Sequence, residues 1–525
     1  MLLFFGKKKT KIFVVQTYTD LSAINIKKLE WLFGEVPFIN SREIRGSFIG
    51  PRPSMISPWS TNAVEITQNM GIKDILRIEE FHSRSEVKNV DPMLYSEFKD
   101  LNQSIFDIDI KPDDIIKIKD IAQYNLKEGL ALSDDEVKYL NDLSKTLGRL
   151  LTDSEVFGFS QVNSEHCRHK IFNGRFIING KPKKNSLFEL IKKTSKKNPN
   201  NIVSAYKDNV AFIEGPEIEQ FVPKDPSNPS HFFKEKIKSV ISLKAETHNF
   251  PTTVEPFNGA ATGSGGEIRD RLAGGKGSLP LAGTAVYMTS YSRIQKNFKK
   301  SSFAERDWLY QNPTDILIKA SNGASDFGNK FGQPLIVGSI LTFEHKENNQ
   351  LFGYDKVIML AGGVGYGKKN EAEKGISKKG DKIIILGGDN YRIGMGGAAV
   401  SSADTGKYGN TLELNAIQRS NPEMQKRVSN VIRALVESNI NPIVSIHDHG
   451  AGGHLNCLSE LVEETGGLID LDKLPIGDKT LSFKEIIGNE SQERMGLIIP
   501  ENKFSKLKSI ADREKAPCYK VGVIK

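Results

Sequence analysis

KAETHNFPTTVEPFNGAATGSGGEIRD, Lys244 to Asp270, is the stretch whose reading decides the fold and the chemistry. It follows the β-branched run Val240–Leu243, so an extended backbone projects Lys244, Glu246 and His248 onto one face. A lysine, a carboxylate and an imidazole brought together are costly to bury without a ligand. The small residues Gly259, Gly263, Ser264, Gly265 and Gly266 follow, and as a loop they would let backbone amides approach an anion closely. Glu267, Arg269 and Asp270 close the stretch with charge. The combination suits phosphate binding with a divalent cation: Lys244 and the loop amides on phosphates, Glu246 and Asp270 on Mg²⁺. A tight turn is the plainer reading of the glycines alone.

Outward from this stretch, three segments carry related residues. Upstream, NSEHCRHK (163–170) packs Glu165, His166, Cys167 and His169 together, and a helix would put Glu165 and His169 on one face. Downstream, HDHGAGGH (447–454) follows the expected strand Ile443–Ile446 and precedes a helical run, Leu455–Thr465. Asp448, at a strand end beside glycines, stands where a metal or phosphate is often held. NESQERM (489–495) leads into the apolar strand Gly496–Ile499. Six of the nine histidines fall in these segments, which opens a zinc reading through His447, His449, His454 and Cys167. The carboxylate and glycine surroundings favour a hard cation instead. Gly394–Ala399 matches the loose dinucleotide pattern after a strand, a weak signal alone, and no Walker A sequence occurs.

The 525 residues exceed one compact core, and no apolar run reaches membrane-spanning length. The start, MLLFFGKKK, has the reverse order of a signal peptide, and three distant cysteines make no disulfide framework. A cytoplasmic location is the expectation. The net charge of +8 comes from lysines without arginine clusters or interleaved aromatics, so nucleic acid is not an expected partner.

Ile12–Thr17 and Ile75–Phe81 read as strands and Asp20–Phe33 as a helix. Gly50–Ser60 reads as a Pro-punctuated loop, for packing or for binding. Ser133–Glu136 and Thr152–Glu155 carry helix-start signals, and Ser186–Lys197 is amphipathic. Thr284–Thr289, Val357–Leu360 and Lys382–Gly388 read as strands, with Gly365–Asp381 as a linker. The fold class is therefore a mixture of α+β and α/β layers in several domains.

Taken with GPRP (50–53), NSEHCRHKIFN (163–173), SAYKDN (204–209), GNKFGQPL (328–335), HDHGAGG (447–453) and SQERM (491–495), the chain resembles the large form of phosphoribosylformylglycinamidine synthase along nearly its whole length. The resemblance implies four parts: an N-terminal α/β domain (1–130), a helical linker (131–200), and an A-type (201–370) and B-type (371–525) layer of an aminoimidazole-ribonucleotide-synthetase-like fold. It implies an ATP- and Mg²⁺-dependent reaction. The formyl amide oxygen of formylglycinamide ribonucleotide is phosphorylated, and ammonia then displaces phosphate to give the amidine.

By the same resemblance Lys244 contacts ATP, with the Gly259–Asp270 loop on its phosphates. Glu246, Asp270 and Asp448 hold Mg²⁺, His248 accepts a proton, and His166 is the second catalytic histidine. Thr247, Asn249, Arg269, Gln418, Ser491, Gln492 and Glu493 line the substrate. The family's second synthetase half and glutaminase are expected to be missing, and no cysteine sits in a Gly-x-Cys-x-Gly elbow. A lone half would expose an apolar sheet and pair with a second copy or a separate chain. The competing expectation is a non-catalytic remnant serving assembly.

Overall fold

The computed structural model describes every residue except 8–9, 165, 295–309, 403–409 and 492, together with all side chains of those residues except 167, 402 and 410–412. Two compact units result, Met1–Asp113 with Ile476–Leu481, and Asp114–Pro475 with Ser482–Lys525.

The first unit is a six-stranded sheet ordered Phe38–Ile39, Leu2–Gly6, Lys11–Thr17, Ile75–Ser83, Ile44–Pro51, Tyr95–Leu101, with each adjacent pair antiparallel. Both faces are buried, which is why its strands read as continuous apolar runs. Phe5, Phe13, Val15 and Ile78 pack with Leu29 of the helix Ala23–Leu32, and Phe4, Ile12, Val14 and Phe81 fill the opposite face. The Pro-punctuated loop is a loop only in its first half. Pro58 opens a helix, Pro58–Asn69, behind the cap Ser57. Arg77 is buried, binds Glu79, and donates to the carbonyls of Pro53 (2.9 Å) and Arg52 (3.3 Å). These contacts satisfy the turn's backbone from inside and support the packing reading.

The second unit begins with helices Ile121–Glu128, Asp134–Thr146 and Asp153–Val162 around Tyr124, Leu140 and Val156. The first of them, grouped from sequence with the N-terminal part, belongs here because its apolar face packs into this cluster. Ser133 with Glu136, Thr152 with Glu155, and Ser186 with Glu189 each form a reciprocal capping box, satisfying two otherwise orphaned amides at each helix start.

A six-stranded sheet follows, ordered Leu335–Thr342, Leu279–Thr289, Ile358–Lys368, Phe232–Thr247, Ala211–Pro223, Ile202–Ser204. Only its first pair is parallel. A five-stranded antiparallel sheet completes the unit, ordered Ser445–Asp448, Arg494–Ile499, Lys382–Gly387, Cys518–Ile524, Gly467–Ile469. The linker expected over Gly365–Asp381 is partly strand, since the ladder runs to Lys368.

The main correction concerns Gly259–Asp270, which is no loop. It lies inside a 17-residue helix, Pro256–Leu272. This helix packs on Pro313–Phe331 and on Pro422–Val436, sharing one core through Ile268, Leu272, Phe327, Val428 and Ile432. The glycines are there for close approach. A Cβ on Gly259 would lie 2.4 Å from the Pro251 carbonyl carbon, and one on Gly265 2.7 Å from the Phe327 ring. Amides inside a helix are used by carbonyls one turn back, so they cannot cradle phosphates. Among the described residues no helix is long and apolar enough to cross a membrane.

Candidate active site

The strand Phe232–Thr247 delivers Lys244 and Glu246 to its inner face, while Leu243, Ala245 and Thr247 point to the exposed one. His248 caps the short helix Asn249–Val254 that follows. The Gly-rich helix brings Asp270 against the strand, and Asp448 arrives from the end of Ser445–Asp448. Lys244 Nζ lies 3.0 Å from Asp270 and 3.6 Å from Glu246. The alternation read from sequence places Lys244 and Glu246 on one face, and the fold sets Asp270 and Asp448, grouped with Glu246 at the sequence level, beside them.

Asn209, in the loop before Ala211–Pro223, ties the cluster together. Its Nδ2 donates to Asp270 Oδ1 (3.1 Å) and to Asp448 Oδ1 (2.9 Å), and Lys374 Nζ donates to its Oδ1 (3.4 Å). Sequence reasoning gave Asn209 no role. Its side chain acts on carboxylates 61 and 239 positions away, and no spacing rule registers that.

Burial opposes the charge on Lys244, but Asp270 and Glu246 outweigh it and hold its pKa above the ordinary lysine value. Burial raises Asp270 well above the usual carboxylate range, with Asp448 and Glu246 adding to the effect. Asp448 is raised by burial too, against the pull of Arg269. Glu246 resists its own desolvation through Lys244 and its hydrogen bond with Asp270, and falls to about 2. Three carboxylates face one lysine and one arginine, so the cluster lacks positive charge.

The oxygen donors fit a hard cation. Among the described residues, however, no three His, Cys, Asp or Glu side chains are placed as a closed metal set.

His248 is pushed down to about 4, chiefly by burial and against the opposing charge of Glu246. It is therefore neutral at pH 7 and able to accept a proton. His166 opens the 3₁₀ turn His166–Arg168, with its Nδ1 3.1 Å from Ser401 Oγ. Glu246 is within electrostatic reach of both histidines. The helix that would have aligned Glu165 with His169 is broken at Arg168 (φ 55°), and Glu165 lies outside the described residues.

The residues expected on the substrate differ in burial and in their partners. Arg269 is 1% exposed and donates to Gln425 Oε1 (2.7 Å), with its Nε 3.9 Å from Asp448. Gln418 is buried and donates to the Glu490 carbonyl, and Glu493 is buried and accepts from the Asn421 amide (2.8 Å). Thr247 is exposed, and Asn249 and Ser491 are half-buried. Asn249 Oδ1 accepts from the Met359 amide (3.1 Å) and Ser491 accepts at its carbonyl from Arg494 Nε (2.9 Å). Gln492 lies outside the described residues. Within the Gly-rich helix, Gly259, Gly263, Ser264 and Gly265 are buried and Gly266 is half-buried, so the phosphate contacts expected from loop amides are withdrawn.

The zinc reading fails on its histidines. Arg494 can only donate, so its Nη1 contact with His454 Nε2 (2.8 Å) puts the His454 proton on Nδ1. That nitrogen meets His449 Nε2 at 2.9 Å, which makes His449 the acceptor. Both rings are buried in this relay, while His447 pairs with Glu460 (2.9 Å). The side chain of Cys167 lies outside the described residues.

The dinucleotide reading fails too. The six-residue helix Gly397–Ser402 has its start occupied by Glu490, which accepts from the amides of Ala398 (2.8 Å) and Gly452 (3.1 Å). Burial raises this carboxylate to about 6. Glu490 is a second residue without a sequence-level assignment, 92 positions from the amide it caps.

Comparison with known proteins agrees with this layout. Residues 10–108 match the family described as formylglycinamide ribonucleotide amidotransferase N-terminal, and residues 121–170 match its linker domain. Residues 378–525 match the C-terminal domain of AIR synthase related proteins. Among solved structures, Thermotoga maritima PurL complexed with FGAR is 26% identical, covering 74% of this chain and 52% of that one, with a TM-score of 0.52. The same protein complexed with ATP aligns at 24% identity over 74% of this chain and 51% of that one, with a TM-score of 0.50, and shows the shared fold. The chain spans about half the length of these relatives.

Proposed function

The chain belongs to the phosphoribosylformylglycinamidine synthase family, and from that premise we propose that it carries one half of the synthetase that converts formylglycinamide ribonucleotide to formylglycinamidine ribonucleotide. The supporting observation is the cluster of Lys244, Glu246, Asp270 and Asp448, poor in positive charge, with the neutral His248 beside it.

In this reading Glu246, Asp270 and Asp448 hold Mg²⁺, whose charge when bound neutralises the phosphates of ATP. Lys244 adds a fixed positive charge to the same place. The substrate's amide oxygen takes the terminal phosphoryl group, and ammonia then displaces phosphate. His248 accepts the proton that the attacking nitrogen gives up, and His166, oriented by Ser401, is the second proton-handling group. Thr247, Asn249, Arg269, Gln418, Ser491, Gln492 and Glu493 are assigned to substrate contacts.

Pairing completes the proposal. Every residue of the edge strand Leu335–Thr342 is exposed, with Ile336 at 60% and Ile340 at 63%. An apolar strand left open in this way is a surface for association. We assign to it a second copy of the chain, or a separate chain carrying the other synthetase half and a glutaminase.

The test is ADP release with ATP, Mg²⁺, ammonia and formylglycinamide ribonucleotide, with the chain alone and with such a partner. Substrate-dependent ADP formation is expected. Its absence in both cases would reduce the chain to an assembly subunit, and activity surviving joint His166→Ala and His248→Ala changes would refute the assigned roles.

A further inference from the structure

Residues 170–197 hold eight lysines and one arginine against a single acidic residue, Glu189. Nine against one leaves +8, the net charge of the whole chain, so the other residues balance to zero. The excess that looks dispersed along the sequence is therefore one local feature. It folds as the helix His169–Asn173, the hairpin Ile177–Ile178 with Lys181–Pro182, and the helix Leu187–Lys197.

These elements form an open surface cleft of about 570 Å³ lined by Arg175, Lys183, Lys184, Lys192 and Phe188. Glu189, also at its wall, is committed to capping Ser186. Among the described residues none of the four cations pairs with a carboxylate, though other lysines do, including Lys170 with Glu136 nearby. Lys192 instead sits over the rings of Phe188 (5.7 Å) and Tyr206 (5.8 Å). Four like charges around one concavity repel each other, and a surface selected only for solubility would intersperse acids.

We propose that this cleft is a binding site for a small ligand bearing several phosphate groups, separate from the acidic cluster. The chemistry fits: multiple ammonium and guanidinium donors suit phosphate oxygens. The volume is that of a small-molecule site. The inference uses none of the residues assigned to the reaction, so it stands or falls independently of that function.

The test is calorimetric titration of the full chain with inorganic tripolyphosphate, and separately with ATP, in Mg²⁺-free buffer. Saturable binding of tripolyphosphate is expected, weakening steeply with added salt. Kd should rise at least tenfold in the combined variant Lys183→Gln, Lys184→Gln and Lys192→Gln, all surface positions. It should be unchanged in Glu246→Gln with Asp270→Asn. Equal affinity for ATP and tripolyphosphate would show that phosphates alone are read, and tighter ATP binding that is lost in the lysine variant but kept in Glu246→Gln with Asp270→Asn would show a nucleotide site using Phe188. No saturable binding of either probe would overturn the proposal, as would unchanged affinity in the lysine variant. Binding of only a long RNA oligomer would also overturn it and assign the face to a macromolecule.

Discussion

Replacing Gly259 by alanine places a methyl carbon 2.4 Å from both the Pro251 carbonyl carbon and the Thr252 nitrogen. Both neighbours are backbone atoms of the short helix Asn249–Val254, so no side chain can swing aside. Ordinary carbon contacts begin near 3.5 Å, so the two helices must part by about 1 Å. Overpacking of that kind costs up to about 3 kcal/mol, and alanine's helix propensity returns about 1 kcal/mol, leaving a loss of about 2 kcal/mol. Gly266 supplies the control in the same helix. A methyl there meets only Arg269 Nη2, at 3.6 Å, and Gly266 does not have positive φ. Gly266→Ala should therefore stabilise by up to about 1 kcal/mol. Urea denaturation of the two variants beside the parent reads the difference of about 3 kcal/mol. Equal destabilisation by both would refute the helix and restore a phosphate loop with left-handed glycines.

Asn209→Ala removes the amide shared by Asp270 and Asp448, and a thermal melt should show a loss of about 1–3 kcal/mol, partly recovered by millimolar Mg²⁺. His248 has a folded pKa of about 4, below its unfolded value of about 6.5. Its contribution to stability is thus present above pH 6.5 and lost as pH falls towards about 4. The acid limb of kcat/KM should lie well below 6.5 and disappear in His248→Asn, which a pH–rate profile checks. Zinc chelation by phenanthroline should leave melting and turnover unchanged, because His449 and His454 are bonded to each other and to Arg494, whereas removing Mg²⁺ should abolish ATP-dependent turnover.

Local signals were legible where a few neighbouring residues settle the outcome. The three Ser/Thr-x-x-Glu starts became capping boxes because both partners lie within one turn. The alternation of Lys244 and Glu246 survived because a strand's period is two. The same kind of reasoning failed for Gly259–Gly266. Glycine weakens a helix in isolation, so a run of glycines reads as a loop, and only the pressure of two neighbouring helices makes their missing side chains an advantage.

The sequence by itself determined the layered α/β character, the helix starts, and the face on which Lys244 and Glu246 stand, since each depends on residues a few positions apart. Only the tertiary structure decided that Asn209 bridges Asp448 and Asp270, that Glu490 occupies a helix start, and that Arg269 is buried. Those outcomes rest on contacts between residues tens to hundreds of positions apart, and on desolvation, which exists only once the chain has closed around them.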